Sequence, residues 1–300
     1  MLLPKICMNF GYVFLLLALT AFGTLGIFHK IADHPQCRPK MTALLLFFWG
    51  GVFSVIYAAT LDAKGLHFPS RVVLIGSCTG TIAALTLFVF QMALRYGKIS
   101  TSWLIINLTS SVPVLASILL FNEKLSFAKS FGILLVFAAI VLLWLDKRHD
   151  LRKMDPSQAT VQKSKWLPLM LLTFVGQGLA STGSKVLVEA GVGDYVWQFL
   201  SVLYWSGFLA MLLLSVLREA WPNRREFMTA TVMGLCSVVG NCGITMALKT
   251  VKGSIAYPVN NGSLLIVVMA GIFFFKEKIH PVGFLGIIFG ISAVLVLVLN

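Results

Sequence analysis

A chain of 300 residues with 58% apolar and only 12% charged side chains cannot cover a compact core with polar surface; a soluble domain carries roughly 25% charged residues. The net charge of +13 comes from 24 Lys and Arg against 11 Asp and Glu. The basic residues sit in short gaps between long apolar runs rather than on one soluble face, which argues against nucleic-acid binding and for membrane-flanking charge.

The class indicated is an all-α polytopic membrane protein, with a mean hydropathy of +0.90. About 20 helical residues cross a hydrocarbon core about 30 Å thick. Runs of that length fall near 9–28, 41–60, 71–94, 100–121, 127–145, 166–187, 196–217, 227–248, 254–275 and 281–299, so ten transmembrane helices are expected. Gly132 to Leu143 is apolar on every face, unlike the alternating strands of a barrel. The first apolar run exceeds a signal-peptide core, and no small-x-small cleavage site follows it, so it counts as span one. Cys7, Cys37, Cys78, Cys236 and Cys242 lack metal-type spacing and read as packing residues.

The chain repeats itself at an offset of 154 residues. MALRYGKIS from Met92 lies over MALKTVKGS from Met246, Asn107 over Asn261, Phe121 over Phe275, and Glu123-Lys124 over Glu277-Lys278. Positions 92–145 share 17 identities in 54 with their counterparts, where composition alone gives about 4 or 5 for a membrane-like sequence. Lys30 and Lys185 extend the match with a one-residue shift. Five spans per copy force the second copy to enter the membrane from the opposite side, an inverted repeat of the kind found in secondary transporters. The expected units are 1–145, a polar linker at 146–165, and 166–300.

Ten spans, the five-plus-five duplication and a late Glu-Lys pattern resemble the drug/metabolite transporter superfamily, EamA-like branch. The pattern runs from Pro113 through VLASILLFNEKLSFAKSFGILLVFAAIVLL and again as IVVMAGIFFFKEKIHPVGFLGIIFGISAVLVL, and GTLGIFHK (Gly23 to Lys30) is similar to the family's first-helix segment. The second copy has Val267 where the first has Pro113, and carries Pro258 earlier instead. The resemblance implies a carrier of amino acids, other metabolites or drugs. It also implies cytoplasmic termini, whereas the alternate gaps hold 16 against 8 Lys and Arg and, by the positive-inside rule, place both termini outside. Six of the 16 lie in the linker, and the even span count keeps both termini on one side.

Polar groups in a bilayer are costly and face cavities or partner helices. Trp103, Asn107 and Ser110/Ser111 share one face of span four, and Tyr257, Asn260 and Asn261 repeat the aromatic–amide placement in span nine. They read either as two walls of one substrate pocket or as glue between helices. Gln177, Ser181 and Lys185 form a stripe in span six, as do Ser237, Asn241 and Thr245 in span eight, with Gln91 as the span-three counterpart. Lys30 and Lys185 read as cations at the cavity mouth or as snorkelling lysines, Lys185 also pairing with Glu189. Glu123 and Glu277, beside lysines, read as helix-end ion pairs.

All 11 acidic residues lie outside the spans or at their edges, against the mid-membrane carboxylate that cation/proton exchange usually needs; His29 is the one titratable group near a span that could replace it. No hydrolytic, metal-binding or phosphate-binding motif occurs, so no catalytic residue, metal or cofactor is expected and the chain is not read as an enzyme. The expected function is secondary transport at the cell (inner) membrane. The substrate is a small molecule such as an amino acid or organic anion, exported by alternating access, with the bilayer as partner, no nucleic acid, and a monomer or homodimer as the working unit. The alternatives are a lipid-head-group flippase of the same fold, a drug-efflux carrier, or a membrane-embedded lipid enzyme.

Overall fold

The computed structural model describes residues 3–109, 111–112, 130–132, 134–135, 137–139, 141–142, 145–146, 156–215, 221–248, 259–277 and 280–298. These form helices α1 (Leu3–Ala32), α2 (Pro39–Thr60), α3 (Ser70–Leu94), α4 (Ile99–Leu108), α5 (Pro156–Glu189), α6 (Val196–Ser215), α7 (Arg224–Leu248), α8 (Ser263–Phe273) and α9 (Pro281–Val298). Helical positions also occur between 130 and 146, and no strand occurs among the described residues. Among the described residues, five helical stretches are long and apolar enough to cross a membrane: Phe10–Ala32, Pro39–Thr60, Ser70–Leu94, Val196–Leu214 and Arg224–Ala247. They coincide with expected spans one, two, three, seven and eight. Val259–Phe273 and Pro281–Ala293 are shorter apolar helices at the places of spans nine and ten. Much of spans four and five, with Ser110, Pro113, Phe121 and the Glu123-Lys124 pair, lies outside the described residues, as do Tyr257 and Pro258.

Local sequence explains where helices begin. Pro39, Pro156 and Pro281 each open a helix, where proline's missing N–H and fixed φ cost nothing. Pro156 starts α5 ten residues ahead of the expected span six, so the second part of the polar segment 146–165 is helical. Asn223 and Glu226 form a capping box at the start of α7: the Asn223 Oδ1 accepts the Glu226 N–H at 2.8 Å, and the Glu226 carboxylate accepts the Asn223 N–H at 2.9 Å. At the other end of α8, Lys276 takes φ 54° and the Glu277 N–H reaches back to the Gly271 carbonyl at 2.9 Å. The chain thus leaves the helix through a left-handed residue, with lysine where glycine or asparagine is usual.

Helices α1 to α4 pack chiefly against α5 to α9. α1 lies against α7 and α8, α2 against α6 and α7, α3 against α5 and α6, and α4 against α5, α8 and α9. Glycine permits the closest of these approaches: a Cβ on Gly80 would run into the Leu203 carbonyl and the Ser206 hydroxyl of α6, the small-residue contact expected where packing rather than hydrophobic exclusion joins helices. Large apolar side chains point outward, among them Leu74 (67% exposed) and Leu213 (81%). Such a surface is unsuited to water and matches hydrocarbon.

Candidate functional site

Three helices, α1, α3 and α4, bring one buried cluster together near their shared end. α1 supplies His29, α3 supplies Phe90 and Gln91, and α4 supplies Trp103, all at most 5% exposed. The imidazole of His29 meets Phe90 edge-on with ring centroids 5.4 Å apart and leans on Trp103 at 5.9 Å; Phe90 and Trp103 are 6.0 Å apart. Gly26, one turn before His29, lets Trp103 and Val267 come close to α1. The His29 Nδ1, both amide atoms of Gln91 and the Trp103 Nε1 are buried with no hydrogen-bond partner. Unsatisfied buried polar groups are expensive, and four such atoms gather in this one cluster.

A narrow crevice of about 10 Å³ lies beside this cluster, lined by His29, Ala32, Asp33, Pro39, Gln91, Leu94 and Arg95. That is room for about one water, far below the roughly 300 Å³ at which small-molecule pockets start, so the crevice is closed to a substrate-sized molecule. At its mouth the Lys30 ammonium lies 3.1 Å from the Asp33 carboxylate, and the Arg95 guanidinium donates to the Cys37 carbonyl at 2.8 Å. Burial pushes the Cys37 thiol above its ordinary value, which keeps it protonated and unreactive at neutral pH.

Three carboxylate contacts close the same edge. Glu226, fully buried, accepts from the Arg38 backbone N–H at 2.8 Å and from its guanidinium Nε and Nη2 at 2.9 Å each. Asp146, 1% exposed, takes the Lys98 ammonium at 3.3 Å and the His280 N–H at 3.2 Å, capping α9. Glu277 accepts the Ile99 N–H at 2.8 Å and so caps α4. The reading of Glu277 as an ion pair with the neighbouring lysine left out this bond between the copies. The opposite edge is joined by Gln198, whose amide donates to Asp62 at 2.8 Å and to the Gly65 carbonyl at 2.6 Å, and by the Lys64–Asp194 pair at 3.8 Å.

The other expected site residues fall in different places. The Asn107 amide donates to the Trp103 carbonyl at 2.9 Å. Asn241 donates to the Tyr204 hydroxyl at 3.1 Å and to the Ser237 carbonyl at 2.9 Å, while Tyr204 and Ser237 share a 2.7 Å hydrogen bond, so this stripe ties α6 to α7. Gln177 is half-buried on α5, its carbonyl accepting from Ser181 at 2.7 Å. Lys185 sits in α5, with its side chain outside what is described. Asn260 Oδ1 and Asn261 Nδ2 are buried without partners in the turn that leads into α8. Gly262 abuts Leu19 of α1 whereas Trp103 abuts Gly26, so the two polar clusters lie about 10 Å apart along α1 at 1.5 Å per residue. His29 stands out in the sequence as a titratable group near a span, but spacing alone does not put it beside Trp103 and Gln91; its place one turn after Gly26 was the available signal.

Apolar all-round helices, a lipid-like outer surface and polar groups turned inward define a multi-pass membrane protein. Residues 164–299 match the EamA-like transporter family, which supports the resemblance to the drug/metabolite transporter superfamily. The chain is also similar to an uncharacterized protein of Haemophilus influenzae, 25% identical over 246 residues that cover 78% of this chain and 79% of that one. A solved crystal structure shares the fold at a TM-score of 0.63, with 16% identity, over 97% of this chain and 96% of that one.

Proposed function

We propose that the protein is a secondary carrier of the inner membrane that exports a small zwitterionic metabolite, such as an amino acid, by alternating access between two inverted five-helix repeats. The observation that carries this reading is the closed crevice. Unpartnered donors and acceptors of Gln91 and His29 lie inside it, flat aromatic walls back it, and opposite charges, Asp33 and Arg95, stand at its mouth. A carboxylate suits a guanidinium and an ammonium suits a carboxylate, so a zwitterion satisfies the site better than a bare organic anion.

The pattern of helix contacts supports the repeat. Exchanging α1 with α5, α2 with α6, α3 with α7 and α4 with α8 turns the α1–α7 contact into α5–α3, α2–α7 into α6–α3, and α1–α8 into α5–α4, and leaves α2–α6 and α4–α8 unchanged; every one of these contacts occurs. An odd number of spans per copy makes such an exchange a two-fold rotation in the membrane plane. Asn122 stands where the repeat has Lys276, the left-handed position that favours Gly or Asn.

Metabolite profiling of a deletion strain, followed by uptake of the accumulated compounds into proteoliposomes, tests the reading. A zwitterion that accumulates in the cells and crosses the vesicle membrane unchanged supports it. Chemical conversion, or transbilayer exchange of lipid without metabolite flux, overturns it in favour of an enzyme or a flippase.

A further inference from the structure

We infer that His29 is a proton-binding site whose occupancy is linked to closure of the crevice at this membrane edge. The inference deepens the carrier reading above and rests on it for its physiological role. His29 is 2% exposed and lies within a membrane-spanning stretch, and its Nδ1 is buried with no acceptor or donor beside it. A titratable side chain in the membrane without a partner marks a functional position by default. Other deeply buried ionisable groups at this edge, Glu226 and Asp146, are both engaged by cations and backbone N–H groups.

The surroundings decide which protonation state each conformation accepts. Inside the closed cluster the imidazole faces the rings of Phe90 and Trp103 and the neutral amide of Gln91. Just past its own helix, Asp33 is held by Lys30 at 3.1 Å. From α3, Arg95 brings a second cation to the mouth. From the neighbouring elements, Glu226 of α7 is taken by Arg38, and Glu277, beyond α8, by the Ile99 N–H; Arg224, Arg225 and Lys276 add positive charge at that edge. A neutral imidazole therefore fits the closed form. An imidazolium would be a buried cation without a counter-charge, which is tolerated only with solvent or an incoming carboxylate. When the crevice opens, a proton from the adjoining water adds to the imidazole lone pair; closing without substrate returns it to the same side. Substrate and proton occupancy are linked through this one ring, the coupling a secondary carrier needs.

The test needs no substrate. Ala32, in the crevice wall, is replaced by cysteine in a background with the native cysteines removed. The rate of its modification by a charged methanethiosulfonate is measured in lipid nanodiscs from about pH 8 to about pH 5, bracketing the ordinary histidine value of about 6.5. Each rate is divided by that of the unfolded protein at the same pH. The normalised rate rises roughly ten-fold towards the acid end with His29 present, equivalent to about 1.4 kcal/mol of shifted closure. It stays low and flat in His29→Gln. Gln91→Leu, which retains the histidine, keeps the rise, and this separates proton binding from general loosening of the cluster. A flat profile with His29 present, or an equal rise in His29→Gln or His29→Asn, overturns the inference. A histidine-dependent rise in a protein that moves no metabolite leaves the proton site standing and removes the carrier reading.

Discussion

Replacing Glu226 by alanine strips the acceptor from four donors at once: the backbone N–H groups of Arg38 and Asn223 and the Nε and Nη2 of the Arg38 guanidinium. Asn223 also donates to the Gln36 carbonyl at 2.6 Å, so the carboxylate is the hub that joins the α1–α2 connection to the start of α7. Removing one partner of a buried pair costs about 3–5 kcal/mol. Arg38 is 32% exposed and regains some hydration, which brings the expected loss to about 2–4 kcal/mol. At about 2–4 °C per kcal/mol for a chain of comparable size, thermal unfolding in detergent should drop by about 4–16 °C. Glu226→Gln keeps the shape and one acceptor oxygen and should fall between wild type and alanine. A midpoint for Glu226→Ala within about 2 °C of wild type would refute the hub, because at least one of the four donors would then have had another partner throughout.

Other changes test separate parts of the account. Gly80→Leu drives a side chain into the Leu203 carbonyl and should cost about 1–3 kcal/mol, read as lower yield and lower thermal midpoint. Lys276→Gly removes the left-handed strain of a non-glycine residue and should stabilise by about 1 kcal/mol in the same assay. Asn241→Leu breaks the tie to Tyr204 and should shift stability by only about 0.6 kcal/mol, with transport retained, since its amide serves helix packing. Trp103→Ala should abolish transport and destabilise by about 3–5 kcal/mol, whereas Trp103→Phe keeps a ring against His29 and should preserve most of both.

Five of the expected spans were legible because hydrocarbon demands about 20 apolar residues and tolerates little else, and the internal sequence match stood out because Met92-to-Ser100 and Met246-to-Ser254 retain polar residues that apolar bias does not explain. Trp103 and Gln91, which the structure buries side by side with His29, stood out for the same reason: a polar atom in a span needs an explanation. The site's third member was harder to see. His29 sits next to Lys30, and a charge near a helix end hides the fact that its neighbour turns inward. Contacts between the copies were also invisible to spacing arguments. Asp146 and Glu277 each cap a helix distant in sequence, and no local pattern encodes a cap supplied by another segment. Glu226 was the exception, since Asn223-x-x-Glu226 is a capping-box signature readable in the sequence; its capture by Arg38 was not.

The central claim is that the crevice beside Gln91 and Trp103 carries a zwitterion across the membrane. Proteoliposomes containing the purified protein, loaded with a uniformly isotope-labelled amino-acid mixture, test it most directly when the external medium is analysed over time. The account predicts release of one or a few components well above protein-free vesicles, with the release lost in Gln91→Leu while that variant remains folded. Release of every component at the protein-free rate, or equal release by wild type and Gln91→Leu, would contradict it.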